Sequence, residues 1–294
     1  MTGTVQPLCT PILEYRLAEC AGAENRQVSI IADDGMSNCC QSHELSEPPR
    51  DKAVQWGRRF VVALACWLVL VSGVVLALNW AKPASRAVIL MAWGLILLWI
   101  GVCGLGMWRW RERWCQLASR VPLPWMIKFF LGCVALALLE EAITTSMTNC
   151  APLFGVRIGQ AYITASANYL DVVLYHSVVV FLPLFAAWAV LLWLWRFTPF
   201  AVFVLFGITG TLAEAITFGP QSLANFGLWI FVYGLMVWLP AHWAPPERSA
   251  RAPRWWAYPL ATVAPFFFLP SLFLLAPWLW LTAKHPSIHF PPIH

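Results

Sequence analysis

Charge is scarce in this sequence, and negative charge is nearly absent from most of it. Asp, Glu, Lys and Arg make up 11% of the 294 residues, where a soluble globular domain carries about 25%. That shortfall excludes an ordinary soluble domain. Eight of the 14 acidic residues precede residue 52, which leaves six for the rest of the chain. Of these, Glu112 and Glu247 fall in basic, hydrophilic stretches, whereas Glu140, Glu141, Asp171 and Glu214 sit within or beside apolar runs. No glycine-rich phosphate loop, HExxH or GxSxG pattern occurs, so nucleotide-driven transport and the common zinc and serine hydrolases have no support. The basic residues gather at the ends of apolar runs and form no patch, which excludes nucleic acid as a partner. A cleavable signal peptide is not expected either, because the first 58 residues are long and polar.

The nine cysteines do not read as a disulfide framework. Cys66, Cys103 and Cys133 lie inside apolar runs, where free Cys acts as a small hydrophobe. Cys9, Cys20, Cys39, Cys40 and Cys115 are assigned below to the reducing cytoplasm, and Cys150 alone to the outside. The tail cysteines match no zinc spacing even with His43 nearby. At the C-terminus, Pro286, Pro291 and Pro292 separate His285, His289 and His294 and prevent a helical ligand pair. No metal and no cofactor is expected.

Long hydrophobic runs are what the chain has in abundance. About 20 apolar residues cross a bilayer core, and seven segments qualify: 60–80, 87–108, 125–147, 172–195, 198–218, 222–242 and 256–282. The last carries Pro259, Pro265, Pro270 and Pro277 and is expected to be kinked or broken. The fold class is therefore all-α, a polytopic transmembrane helical bundle of about seven spans. Residues 1–58 read as a cytoplasmic, disordered tail, with 1–35 open to being an over-extended start before Met36. Residues 59–283 form the transmembrane domain and 284–294 a short tail. Lys and Arg set the direction. With the N-terminus inside, the inner face receives 13 of them, including Arg58, Arg59, Arg109, Arg111, Arg196 and Arg248; the outer face receives Lys82, Arg86, Arg157 and Lys284. The expected topology is N-inside and C-outside, in the plasma (inner) membrane, with the lipid bilayer as the principal partner.

Two of the apolar runs contain the same Glu-Ala-Ile-Thr tetrapeptide, at 141–144 and 214–217. Both runs point outward, and each glutamate lies 16 residues from its inner start (Trp125 and Thr198). At about 1.5 Å per residue the two carboxylates share one depth in the outer half of the membrane. His176, early in the fourth run, falls in the same layer, with Asn168 and Asp171 above it and Asn225 near the outer end of the sixth run. Glu141, Thr144, Thr145 and Thr148 follow the i, i+3, i+4, i+7 spacing of one helix face. Gly207, Gly210, Glu214 and Thr217 share a face on the fifth run, where the glycines permit close helix approach. Glu140 points about 100° from Glu141, toward a different neighbour. The 24-residue connection 148–171, which carries Asn149, is long for a plain loop; a short interfacial helix, a re-entrant cap and a linker all remain open.

A carboxylate in hydrocarbon must pair, bind a cation, line a wet cavity or hold a proton. Candidate reacting residues are thus Glu140, Glu141, His176 and Glu214. Candidate binding residues are Thr144, Thr145, Asn149, Asn168, Asp171, Thr217 and Asn225. Proton- or cation-linked handling of a small solute is one reading. A second follows from Glu140 and Glu141 with His176 in the next run, which resembles the glutamate-dependent CAAX-protease family. There an EExxxR motif is followed by FxxxH and a final HxxxN-type motif. Thr145 stands at the Arg position, Val172 at the Phe position, and a third motif is absent. The resemblance implies a glutamate base for water and His176 as a donor on the oxyanion side. A non-catalytic assembly protein, with protonated glutamates as interhelical hydrogen-bonders, is the third reading.

Overall fold

The structure is a computed structural model and describes residues 50–275. The sequence readings for the tail before residue 50, for the end of the seventh run and for His285, His289 and His294 lie outside the described residues.

Regular structure among the described residues is helical, with only two isolated bridges, Ile158 to Ala161 and Trp195 to Arg251. Helix α1, Arg50–Leu78, stops where the Asn79 side chain caps the Val75 carbonyl. Pro83 opens α2, Pro83–Leu95, its missing N–H falling where a helix start needs none. This helix runs through a π-helical segment, Ile96–Cys103, into α3, Gly104–Arg109. The hydrophilic stretch between the second and third apolar runs contains a further helix, α4, Arg111–Arg120. Glu112 in its first turn and Arg120 in its last complement the helix dipole, and apolar periodicity had no hold on so polar a segment. After Pro124 comes α5, Trp125–Asn149.

The fourth run is split. Helix α6, Tyr169–Tyr175, and α7, Ser177–Leu194, meet at His176, whose backbone leaves the helical region. Helix α8, Pro199–Phe218, starts at a Thr198 cap, and a 3₁₀ turn, Pro220–Asn225, leads into α9, Phe226–Ala241. The seventh run is a seven-residue helix α10, Ala257–Val263, followed by 3₁₀ structure over Ala264–Leu275. Prolines at 265 and 270 lack the amide hydrogens an α-helix would use.

Among the described residues, five helices are long and apolar enough to cross a membrane: Gln55–Leu78, Pro83–Arg109, Ser177–Leu194, Pro199–Phe218 and Pro220–Ala241. The third and seventh runs are not among these five. Helix α5 has the length, 25 residues, but carries Lys128, Glu140 and Glu141; the seventh is broken by its prolines.

Helix α9 lies at the centre, against α8, α5, α1 and the π-helical segment. Its contact with α8 depends on glycine. A methyl group on Gly207 would lie 2.7 Å from the Ile230 Cα, and one on Gly234 would lie 2.6 Å from the Phe203 carbonyl oxygen. Around this pair, Trp99, Phe129, Phe185, Trp188 and Phe206 are fully buried. The Trp99 indole donates to the Val232 carbonyl at 3.1 Å, which joins the π-helical segment to α9. Thr209 of α8 donates to the Thr262 carbonyl at 2.9 Å and fixes α10.

Candidate functional site

Helix α5 supplies the centre of the polar layer. Glu140, Glu141, Thr144, Thr145 and Thr148 are all buried, on a helix whose apolar residues pack into the core. Glu141 is the best-connected of them. Its Oε2 accepts from Thr144 Oγ1 at 3.1 Å and from Thr164 Oγ1 at 3.2 Å, and the carboxylate is also hydrogen-bonded to Ser177. Ser177 lies 2.7 Å from His176 Nδ1, so a hydrogen-bonded line runs from the imidazole through the hydroxyl to the carboxyl. The break at His176 brings this about, by placing Ser177 in the first turn of α7.

Glu140 is 4% exposed, and its carboxyl has no hydrogen-bond partner and no ion pair among the described residues. Its electrostatic neighbours are Glu141 and Glu214. Glu214, one turn from the end of α8, accepts from the Tyr233 hydroxyl of α9. The close approach at Gly210 makes that bond reachable, because any Cβ there would collide with the Tyr233 ring.

All four candidate reacting residues line one cavity of about 330 Å³, together with Thr144, Thr164, Ser177 and Tyr233. Glu140 does not face a separate neighbour; both members of the pair reach the cavity, which extends from α5 across to α1 and α2. Asn225 lines it as well. Lys and Arg are absent from the lining. Two of the basic residues are occupied elsewhere: Lys128 donates to the Ala118 carbonyl at 3.0 Å, and Arg86 lies over the Trp80 ring.

Other candidates have different places. Thr145 is buried on the α5 face, its hydroxyl without a partner, but outside the cavity lining. Thr217 is exposed and donates back to the Ala213 carbonyl. Asn149 bridges the Thr145 and Ala167 carbonyls, Asn168 caps α6 through the Leu170 amide, and Asp171 accepts from Ser166. These three organise the connection rather than line the cavity.

That connection packs back against the helix it follows. Ala151–Phe154 forms one 3₁₀ turn, and the chain then folds back onto α5. The Ile163 amide donates to Thr148 at 3.3 Å, the Tyr169 hydroxyl reaches the Leu138 carbonyl at 3.0 Å, and Ile163, Thr164 and Ala165 enter the cavity wall.

Thr164, Ser177 and Tyr233 escaped the sequence reading. Tyr233 did leave a signal, as the one hydroxyl within the apolar stretch Leu228–Leu235 of α9. Thr164 and Ser177 left none, since each depends on a change of chain direction. Among the described residues, no three His, Cys, Asp or Glu side chains are arranged to hold a metal ion, and the five cysteines are free. No protein-family model, curated protein or solved structure matches this chain.

Proposed function

We propose that the protein is a seven-span plasma-membrane protein, N-terminus inside, that binds a small cationic solute in exchange for protons. The cavity lined by Glu140, Glu141 and Glu214 would be the site. Its helices are compatible with a multi-pass membrane protein. The observation that carries the reading is Glu140, a carboxyl buried without a hydrogen bond and facing a cavity. A carboxyl buried in a cavity wall without a partner in the protein is held by a proton, a cation or the water of that cavity, and the first two exchange for one another as pH changes. Two more carboxyls beside it make the alternation stronger, because like charges cannot all ionise together without a counter-ion. The Glu141–Ser177–His176 line gives a leaving proton a neighbouring acceptor.

The test is calorimetric titration of the purified protein with sodium, potassium and methylammonium in buffers of differing ionisation enthalpy. Binding of at least one of them should release protons and tighten as pH rises, since the cation displaces the proton. Glu140→Gln should weaken it by at least about tenfold. Binding without proton release, or no binding by any of the three, would sink the proposal.

The glutamate-hydrolase reading retains one favourable observation, that Glu140, Glu141 and His176 face the same space. A water held there would have a carboxylate base and an imidazole donor. Cleavage of a membrane-anchored fluorogenic peptide, lost in Glu141→Gln, would select that reading instead.

A further inference from the structure

The walls of the cavity divide by element. From α1 and α2 come Leu68, Val75, Val88, Ile89 and Ala92, with Ser72 the one hydroxyl among them. The carboxyls come from α5 and α8, the imidazole from the break between α6 and α7, and hydroxyls from α5, the 163–165 segment, α7 and α9, with Ile163, Phe181 and Phe218 as apolar neighbours among them. The two sets meet at an aromatic corner. Tyr233 stands edge-on to Phe181 with ring centroids 5.6 Å apart, and beside Trp229 at 6.0 Å, while its hydroxyl bonds Glu214.

We infer that the occupant is an organic amine with an apolar body, its ammonium at Glu140 and Glu214 and its hydrocarbon against α1 and α2. The inference rests on the cation-site reading above and specifies the solute. An inorganic cation would draw on the carboxyls alone and leave the apolar wall without a partner. Rings beside an acid favour an ammonium, which they attract through their faces. A volume of about 330 Å³ stands near the lower end of the roughly 300–1,000 Å³ of ligand pockets, which suits a short alkyl or aryl amine.

The experiment titrates the purified full-length protein with four probes: sodium, methylammonium, n-hexylammonium and hexan-1-ol. Glu140→Gln is run alongside to subtract partition into detergent, with Glu214→Gln in its place if the first does not fold. Hexylammonium should bind at least about tenfold more tightly than methylammonium, because its added methylenes leave water. It should exceed the uncharged alcohol by a similar factor. Equal affinity for hexylammonium and methylammonium, or tighter binding of sodium, would overturn the amine while leaving the cation site standing. Hexanol binding as tightly as hexylammonium would remove the role of charge and overturn both. If no cation binds, the site reading fails and this inference falls with it.

Discussion

Tyr233 and Glu214 lie 19 residues apart on facing helices, and their hydrogen bond is the most direct link between α8 and α9 at the cavity. Removing the donor leaves a half-buried carboxyl with one acceptor unmet, a loss of about 1–3 kcal/mol. Tyr233→Phe should therefore lower thermal stability, and the loss should be non-additive with Glu214→Gln; strict additivity would mean the bond contributes nothing. A second cycle joins Glu141 and Glu214. If the two share one site, Glu141→Gln and Glu214→Gln should couple by roughly 1 kcal/mol or more in pH-dependent methylammonium binding. The coupling should be lost when His176 becomes Ala. If the glutamates are only interhelical hydrogen-bonders, both Gln variants should fold and bind as the parent does. At this scale the sequence revealed the acids, because carboxyls in apolar runs are conspicuous. Their hydroxyl partners Thr164, Ser177 and Tyr233 were not legible, since each comes from another element and nothing in its own neighbourhood announces the contact.

The helices differ in how much of their geometry the sequence could carry. Apolar length predicted α1, α2, α8 and α9 well, because a run of that kind has few alternatives to a helix. Where proline or a polar residue interrupts, the reading loosens: His176 divides the fourth run, and the prolines of the seventh leave 3₁₀ structure. The small residues on α8 were legible as a packing face, and Gly207 bears this out through its contact with the Ile230 backbone. Gly207→Ala should therefore force α8 and α9 apart, at a cost of about 1–3 kcal/mol. Gly73 of α1 is the control, since a methyl group there would have nothing within 4 Å. Gly73→Ala should be neutral or raise helix stability by up to about 1 kcal/mol. Thermal unfolding of the two variants in the same detergent checks the contrast, and equal losses would refute the close-packing argument.

The scarcity of charge made the helical class legible for the whole molecule, but direction across the membrane rests on where the basic residues collect. Several of them hold backbone groups of neighbouring elements. Lys128 reaches the Ala118 carbonyl of α4, and Arg248 reaches the Leu192 carbonyl near the end of α7, with Arg196 and Arg251 paired through the backbone beside it. Arg86 stands instead near Gly155, in the connection that carries Arg157. Two natural cysteines flank α5 and can report on the two ends: Cys115 in α4 and Cys150 just after α5. At about 1.5 Å per residue, 25 residues are long enough to span the hydrocarbon core. In intact cells, a membrane-impermeant maleimide should thus label a variant retaining only Cys150 and spare one retaining only Cys115. Burial holds the Cys115 thiol above its ordinary range, an effect the nearby Arg111 partly opposes. The thiolate is the reactive form, so labelling of Cys115 in permeabilised cells should speed up as pH rises. That second measurement separates a thiol that is hidden across the membrane from one that is merely slow. Labelling of Cys115 from outside, at the rate seen after permeabilisation, would reverse the topology; labelling of both from one side would mean that α5 does not cross.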